Sequence, residues 1–210
     1  MADFTSKWSK GYELTFGERI KGAIKPAGPL KPRLEQAIRQ IQVQIAKLDT
    51  AAAKLKERDK YIFNKVVSAL QRHEQQRAAV YANELAEVRK MTRMVTQAKL
   101  ALEQIVLRLN TVQELGDIVV TLAPAMGVIK NIKAGIVRVM PEAEGEMNDI
   151  SSLLSSILVD AGQLGGYSLN FEAANEDAER ILQEASLLAE QSMKERFPEL
   201  PSPSSLETQE

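Results

Sequence analysis

Leu34–Leu70 reads LEQAIRQIQVQIAKLDTAAAKLKERDKYIFNKVVSAL. Leu34, Ile38, Ile41, Ile45, Leu48, Ala52 and Leu55 recur at alternating steps of four and three, the spacing that lays apolar groups along one seam of a helix. Asp59 interrupts the seam, and Ile62, Val66 and Ala69 take it up again. Neither Gly nor Pro occurs between Arg33 and Leu115, so no residue in this interval punctuates a helix. Pro32 suits a first turn, where its missing N–H would have no intrahelical acceptor. At about 1.5 Å per residue, Arg33–Leu70 would extend about 57 Å.

The next segment, Gln71–Arg77 (QRHEQQR), has no apolar residue and is where the chain is expected to reverse. A second seam follows through Tyr81, Leu85, Val88, Val95, Leu102, Val106 and Leu109. Two amphipathic helices of similar length can bury their stripes against each other as an antiparallel hairpin. The polar break favours this over one straight rod dimerising in trans. The expected hairpin core is Leu34, Ile38, Ile41, Ile45, Leu48, Leu55, Leu85, Val88, Val95 and Leu102.

Beyond the hairpin, residues 116–140 are apolar but carry Gly116, Pro124, Gly127 and Gly135, which predicts shorter helices able to bend or extend. A helix near 146–161 follows, its Ser-rich interior lowering intrinsic helix stability. Gly162, Gly165 and Gly166 suggest a hinge. Residues 172–196 form an acidic amphipathic helix, and Pro198–Glu210, with three Pro and three Ser, reads as a flexible tail. The fold class is therefore all-α: a long antiparallel helical hairpin followed by shorter helices. The organisation is an arm at 1–30, a helical core at 31–161 with its hairpin near 33–112, a hinge and acidic helix at 162–197, and a tail at 198–210.

The 210 residues carry 27 Lys+Arg and 28 Asp+Glu, but the near-neutral total conceals a gradient. Residues 1–33 are net +4, 34–140 net +7 and 141–210 net −12. The acidic last third is attracted to the basic body and competes there with any anionic partner. In the arm, Phe4, Trp8, Tyr12, Phe16, Ile20 and Ile24 recur every four residues, interleaved with Lys7, Lys10, Lys21 and Lys25. Rings at the headgroup boundary and ammonium groups near phosphates would suit an anionic bilayer surface. The expected membrane-binding residues are Phe4, Lys7, Trp8, Lys10, Tyr12, Phe16 and Lys21; the alternative is that the arm packs on the hairpin as ordinary core.

Catalytic chemistry finds little to work with. With no Cys, thiolate catalysis, Cys-ligated metals and disulfides are excluded. His73, the sole His, lies in the polar turn and reads as a solvated residue. No Gly-rich loop ends in Gly-Lys-Ser/Thr, and carboxylate pairs such as Glu84 with Glu87 or Glu176 with Glu179 are ordinary on amphipathic surfaces. No enzymatic activity, cofactor or metal is expected. Lys54, Lys56, Arg58, Lys60, Lys65, Arg72 and Arg77, with Arg89, Lys90, Arg93 and Lys99 beyond, could meet phosphates or keep the helices solvated. Their lack of aromatic company disfavours nucleic acid. The longest uncharged apolar stretch, Ile118–Ile129, is too short to span a bilayer, and no leader pattern opens the chain. A cytoplasmic protein is the default expectation.

The order of these parts, with the segments LEQAIRQIQVQIAKLD (34–49) and VLRLNTVQELGDIVVTLAPAMGVIKNI (106–132), resembles the ESCRT-III family, and within it the archaeal cell-division CdvB-like paralogues. The resemblance covers about residues 15–195. It implies a non-catalytic subunit that polymerises with itself and with paralogous subunits on an anionic membrane, driving constriction and scission in cytokinesis. It further implies a cytoplasmic location on the inner face of the cell membrane at the division site. An AAA+ ATPase with an MIT domain would remodel the filament, and Leu200, Pro201 and Pro203 occupy the place of the tail motif it recognises. The resemblance carries the expectation of no sizeable extra C-terminal domain, as in a later-acting paralogue. The competing reading is a soluble helical adaptor that neither polymerises nor binds lipid.

Overall fold

The computed structural model describes residues 29–112, 115–165 and 171–198. They form five helices and no strand: α1 (Leu30–Gln71), α2 (Gln75–Asn110), α3 (Leu115–Val139), α4 (Ala143–Gly165) and α5 (Phe171–Arg196). α1 and α2 pair along their length as an antiparallel hairpin of 42 and 36 residues. α3 packs on α2, α4 packs on α3 and α1, and α5 packs on α2 and α3.

This layout divides the hairpin into two unequal regimes. At the base, Leu34, Ile41, Leu48, Val95, Leu102 and Leu109 join residues of α3, α4 and α5 in one apolar core. Toward the tip, a separate cluster of Ile62, Val66, Leu85 and Val88 holds α1 to α2. The base is a helical bundle and the tip a two-helix rod.

The expected core residues sit as follows. Leu34, Ile41, Leu48, Leu85, Val88, Val95 and Leu102 are buried, while Ile38, Ile45 and Leu55 are partly buried at the margin of the core. The fully buried row of α1 instead runs Leu34, Ala37, Ile41, Gln44, Leu48. At the base α1 has two partners, α2 and α4, so its buried face is turned from the seam that a two-helix hairpin alone would select.

The reversal is tighter than the polar segment. α1 ends in a Schellman motif, with Glu74 N–H donating to Ala69 O at 2.9 Å and His73 N–H to Leu70 O at 3.0 Å. His73 occupies the left-handed position, at φ 58°, where Gly is the usual residue. Its side chain is exposed, so His73→Gly removes backbone strain without losing buried contacts. The variant is expected to be more stable by up to about 1 kcal/mol, the left-handed penalty less the greater freedom of Gly in the unfolded chain. Urea denaturation midpoints would measure it.

Residues 116–140 do not break into shorter helices. α3 is one helix of 25 residues with Pro124 inside it. Pro124 removes the hydrogen bond to Val120 O, but Val120 is on the solvent side, 71% exposed, where a lost backbone bond costs least. Against that cost stand Ile118, Val119, Leu122, Ala125, Val128, Ile129, Ile132 and Ile136, all buried. Burying each large aliphatic side chain contributes about 1.5–3 kcal/mol, and together they outweigh the proline. Asp117–Val139 is long and apolar enough to cross a membrane by length and composition alone; here its apolar face is taken up by α2, α4 and α5. α4 likewise runs on through Gly162 to Gly165.

Candidate functional site: the docked acidic helix

α5 carries its apolar groups at Ala178, Ile181, Ala185 and Ala189, all buried. Small residues let it lie close: a Cβ added at Gly127 of α3 would come within 3.0 Å of the Ala178 Cβ. Any side chain at 127 would require its neighbour to give by at least a few tenths of an ångström. Polar links to α2 include Gln104 Nε2 donating to Glu184 at 3.3 Å and Gln97 Nε2 donating to Leu182 O at 3.5 Å. A seam of mostly alanine buries less area per turn than one of leucine, and its hydrophobic stabilisation is proportionately smaller.

Arg89 fastens the far end of α5. Arg89 Nε donates to Asp59 Oδ1 at 2.8 Å, Arg89 Nη2 donates to Pro198 O at 2.9 Å, and the guanidinium stands 5.7 Å from the Phe197 ring centroid. The Asp59 side chain is 3% accessible and that of Arg89 22%. Asp59, an interruption of the seam in the sequence, is thus the buried partner of an arginine 30 residues away. Arg89 joins both hairpin helices to the chain leaving α5.

α4 is held to α1 differently. Arg33 donates to Asp160 Oδ2 and, at 2.7 Å, to Ser156 Oγ, while Lys47 and Gln44 both donate to Glu146. The hydrogen bond from Lys47, followed by that from Gln44, holds the Glu146 carboxyl below its ordinary value. A depressed folded value means that this contribution is present above the unfolded carboxylate range and is lost as pH falls through the folded value. Glu146→Gln is therefore expected to be less stable than the parent at neutral pH, with the gap closing on acidification. Paired thermal melts across that range would check it.

Several of the basic groups that could meet phosphates or keep the helices solvated are engaged within the protein. Arg58 pairs with Glu84 at 2.8 Å, Arg77 with Glu74 at 2.9 Å, Arg89 with Asp59, and Lys99 with Asp49 at 2.6 Å and Glu103 at 3.6 Å. Lys54, Lys56, Lys60, Lys90 and Arg93 are exposed. Spacing along the chain reveals Arg77 with Glu74 and Lys99 with Glu103, three and four residues apart, but not the other pairs, whose carboxylates lie on the other helix. The expected membrane residues Phe4, Lys7, Trp8, Lys10, Tyr12, Phe16 and Lys21, and the tail residues Leu200, Pro201 and Pro203, lie outside the described residues. Among the described residues no group of three or more His, Asp or Glu side chains could hold a metal ion.

No family model matches the chain, and no solved structure matches it significantly. Relatives by sequence do. Cell division protein B1 of Sulfolobus acidocaldarius is 45% identical over 177 residues, covering 84% of this chain and 83% of that protein. Cell division protein B of the same organism is 35% identical over 179 residues, covering 83% of this chain and 69% of that protein. The all-α architecture with its long hairpin agrees with this relationship. The chain belongs to the archaeal cell-division branch of the ESCRT-III family, a non-enzymatic family.

Proposed function

We propose that this protein is a filament-forming subunit that remodels membrane during archaeal cell division, and that α5 holds it in a closed, unassembled state. The role in division follows from the family. The observation that carries the finer reading is the seating of α5: an alanine-lined helix over apolar surface of α2 and α3, fastened at its end through Arg89. Removing α5 would uncover that surface while leaving the hairpin intact, and a partner copy could then cover it. Head-to-tail contacts that do not close on themselves propagate into filaments.

The arm at residues 1–30 supplies the membrane contact in this reading, through Phe4, Trp8, Tyr12 and Phe16 with Lys7, Lys10 and Lys21. Each basic residue near an anionic surface contributes about 1 kcal/mol, and a filament multiplies weak arms through effective concentration. The hairpin at 33–112 forms the assembling body, residues 162–197 the regulatory segment and 198–210 the tail. The protein works in the cytoplasm on the inner face of the cell membrane at the division site, beside paralogous subunits. The energy for remodelling comes from an AAA+ ATPase with an MIT domain that engages the tail at Leu200, Pro201 and Pro203.

Negative-stain microscopy of the full chain and of a form ending at Gly166, each with and without anionic liposomes, tests the reading. The shortened form is expected to build filaments under conditions where the full chain does not. If it stays monomeric at low salt in the presence of lipid, the account of α5 is wrong. Deleting residues 1–24 is expected to reduce sedimentation with the liposomes; unchanged sedimentation would reject the arm as the membrane element.

A further inference from the structure

The hairpin tip holds a cavity of about 270 Å³ between the two helices, near the reversal. Lys65, Arg72 and Arg77 line it, with Glu74 as the lining carboxylate and Tyr61 and Tyr81 as aromatic walls. Three cations face one anion, so the cavity carries a positive surplus. Arg77 is paired with Glu74 at 2.9 Å. Lys65 has no carboxylate within ion-pair distance among the described residues; its ammonium lies 4.5 Å from the Tyr61 ring centroid and 5.2 Å from that of Tyr81. Arg72, exposed at the end of α1, is likewise without an ion-pair partner there.

Arg58, Arg89 and Lys99 are engaged by carboxylates, and Lys54, Lys56, Lys60, Lys90 and Arg93 stand on open surface; Lys65 and Arg72 differ from both groups in lining a cavity. Two rings position Lys65 without neutralising it, because a cation–π contact occupies one side of the ammonium and leaves donors for an anion. Arg72 and Arg77 bring forked donors that match phosphate oxygens. Tyr61, 61% exposed, is a large ring left open at the mouth. The lining residues belong to α1, α2 and the turn between them, and none belongs to α3, α4 or α5.

We propose that the tip cavity is a recognition site for a phosphate group, gripped by Lys65, Arg72 and Arg77 and flanked by Tyr61 and Tyr81. The phosphate comes either from a lipid headgroup or from a free phosphorylated compound. The inference rests on the hairpin alone and stands whether or not the protein forms filaments.

The test uses the full chain with two probes, pyrophosphate by calorimetry and phosphatidylcholine vesicles with and without phosphatidic acid by sedimentation. The double variant Lys65→Gln with Arg72→Gln empties the cavity of its two unpaired cations. Lys54→Gln with Lys56→Gln removes the same charge from exposed positions outside it. Lys54, Lys56 and Arg72 are exposed and Lys65 is half-buried, and circular dichroism would verify that both variants stay helical. The cavity variant is expected to lose binding by about tenfold or more, because charge-assisted hydrogen bonds are removed, and the outside variant far less. Selective loss with pyrophosphate assigns a free phosphate compound; selective loss confined to phosphatidic acid vesicles assigns a headgroup. Equal loss in both variants, or no binding of either probe by the parent, overturns the site.

Discussion

Replacing Arg89 with Met is expected to lower the stability of the protein by about 3–5 kcal/mol, the usual cost of leaving one member of a buried ion pair alone. The Asp59 side chain, 3% accessible, would keep its desolvation penalty and lose the donor at 2.8 Å that offsets it. The same substitution removes the hydrogen bond to Pro198 O and the cation over Phe197, so the end of α5 should loosen as well. Chemical denaturation measures the first effect, and trypsin cleavage at Lys194 and Arg196 the second. Adding Asp59→Leu separates them. An apolar pair in place of a buried ion pair is often neutral or stabilising, so the double variant should recover hairpin stability while its tail stays open to trypsin. Recovery of both properties would show that Arg89 acts on the tail only through hairpin stability.

Arg89 also marks how far the sequence could be read. The hairpin is legible because its determinants are local: a run without Gly or Pro, two apolar seams and a polar segment between them. The orientation of α1 about its own axis is not, because it depends on α4. Ala37 and Gln44 are buried ahead of Ile38 and Ile45, Gln44 because Glu146 accepts its amide hydrogen bond from 102 residues away. Asp59 looked like a defect for the same reason, since its partner lies on the other helix. In residues 116–140 the local signals were real and lost. Pro124 and the glycines oppose a continuous helix, yet the apolar surface that α3 shares with α2, α4 and α5 is larger than their penalty. For the candidate site, the acidic charge and alanine face of α5 were visible in the sequence, but not its seat. Nothing along the chain announces that Gly127 is the point of contact.

Gly127→Leu is expected to dislodge α5 from the hairpin while leaving the hairpin folded. A single Cβ at 127 would lie 3.0 Å from the Ala178 Cβ, so a full isobutyl group has no room unless α3 and α5 separate. Overpacking of a close seam costs about 1–3 kcal/mol, which corresponds to a shift of roughly 5- to 150-fold between docked and undocked α5. An alanine-rich seam has little burial from which to absorb such a shift. The local helix propensity acts the other way, since Gly to Leu in a helix interior favours α3 by several tenths of a kcal/mol. Loss of docking with helicity retained would therefore identify the seam, and not α3 itself, as the failing part. Hydrogen exchange should show faster exchange across 171–198 with protection kept in 85–109, and the variant should assemble more readily than the parent. The exchanged pair Gly127→Ala with Ala178→Gly is the control. It moves one methyl group from α5 to α3, keeps the total volume and cancels the propensity terms, so its docking should stay close to the parent's. If Gly127→Leu leaves exchange across 171–198 unchanged, the close approach of α3 and α5 is not what seats the acidic helix.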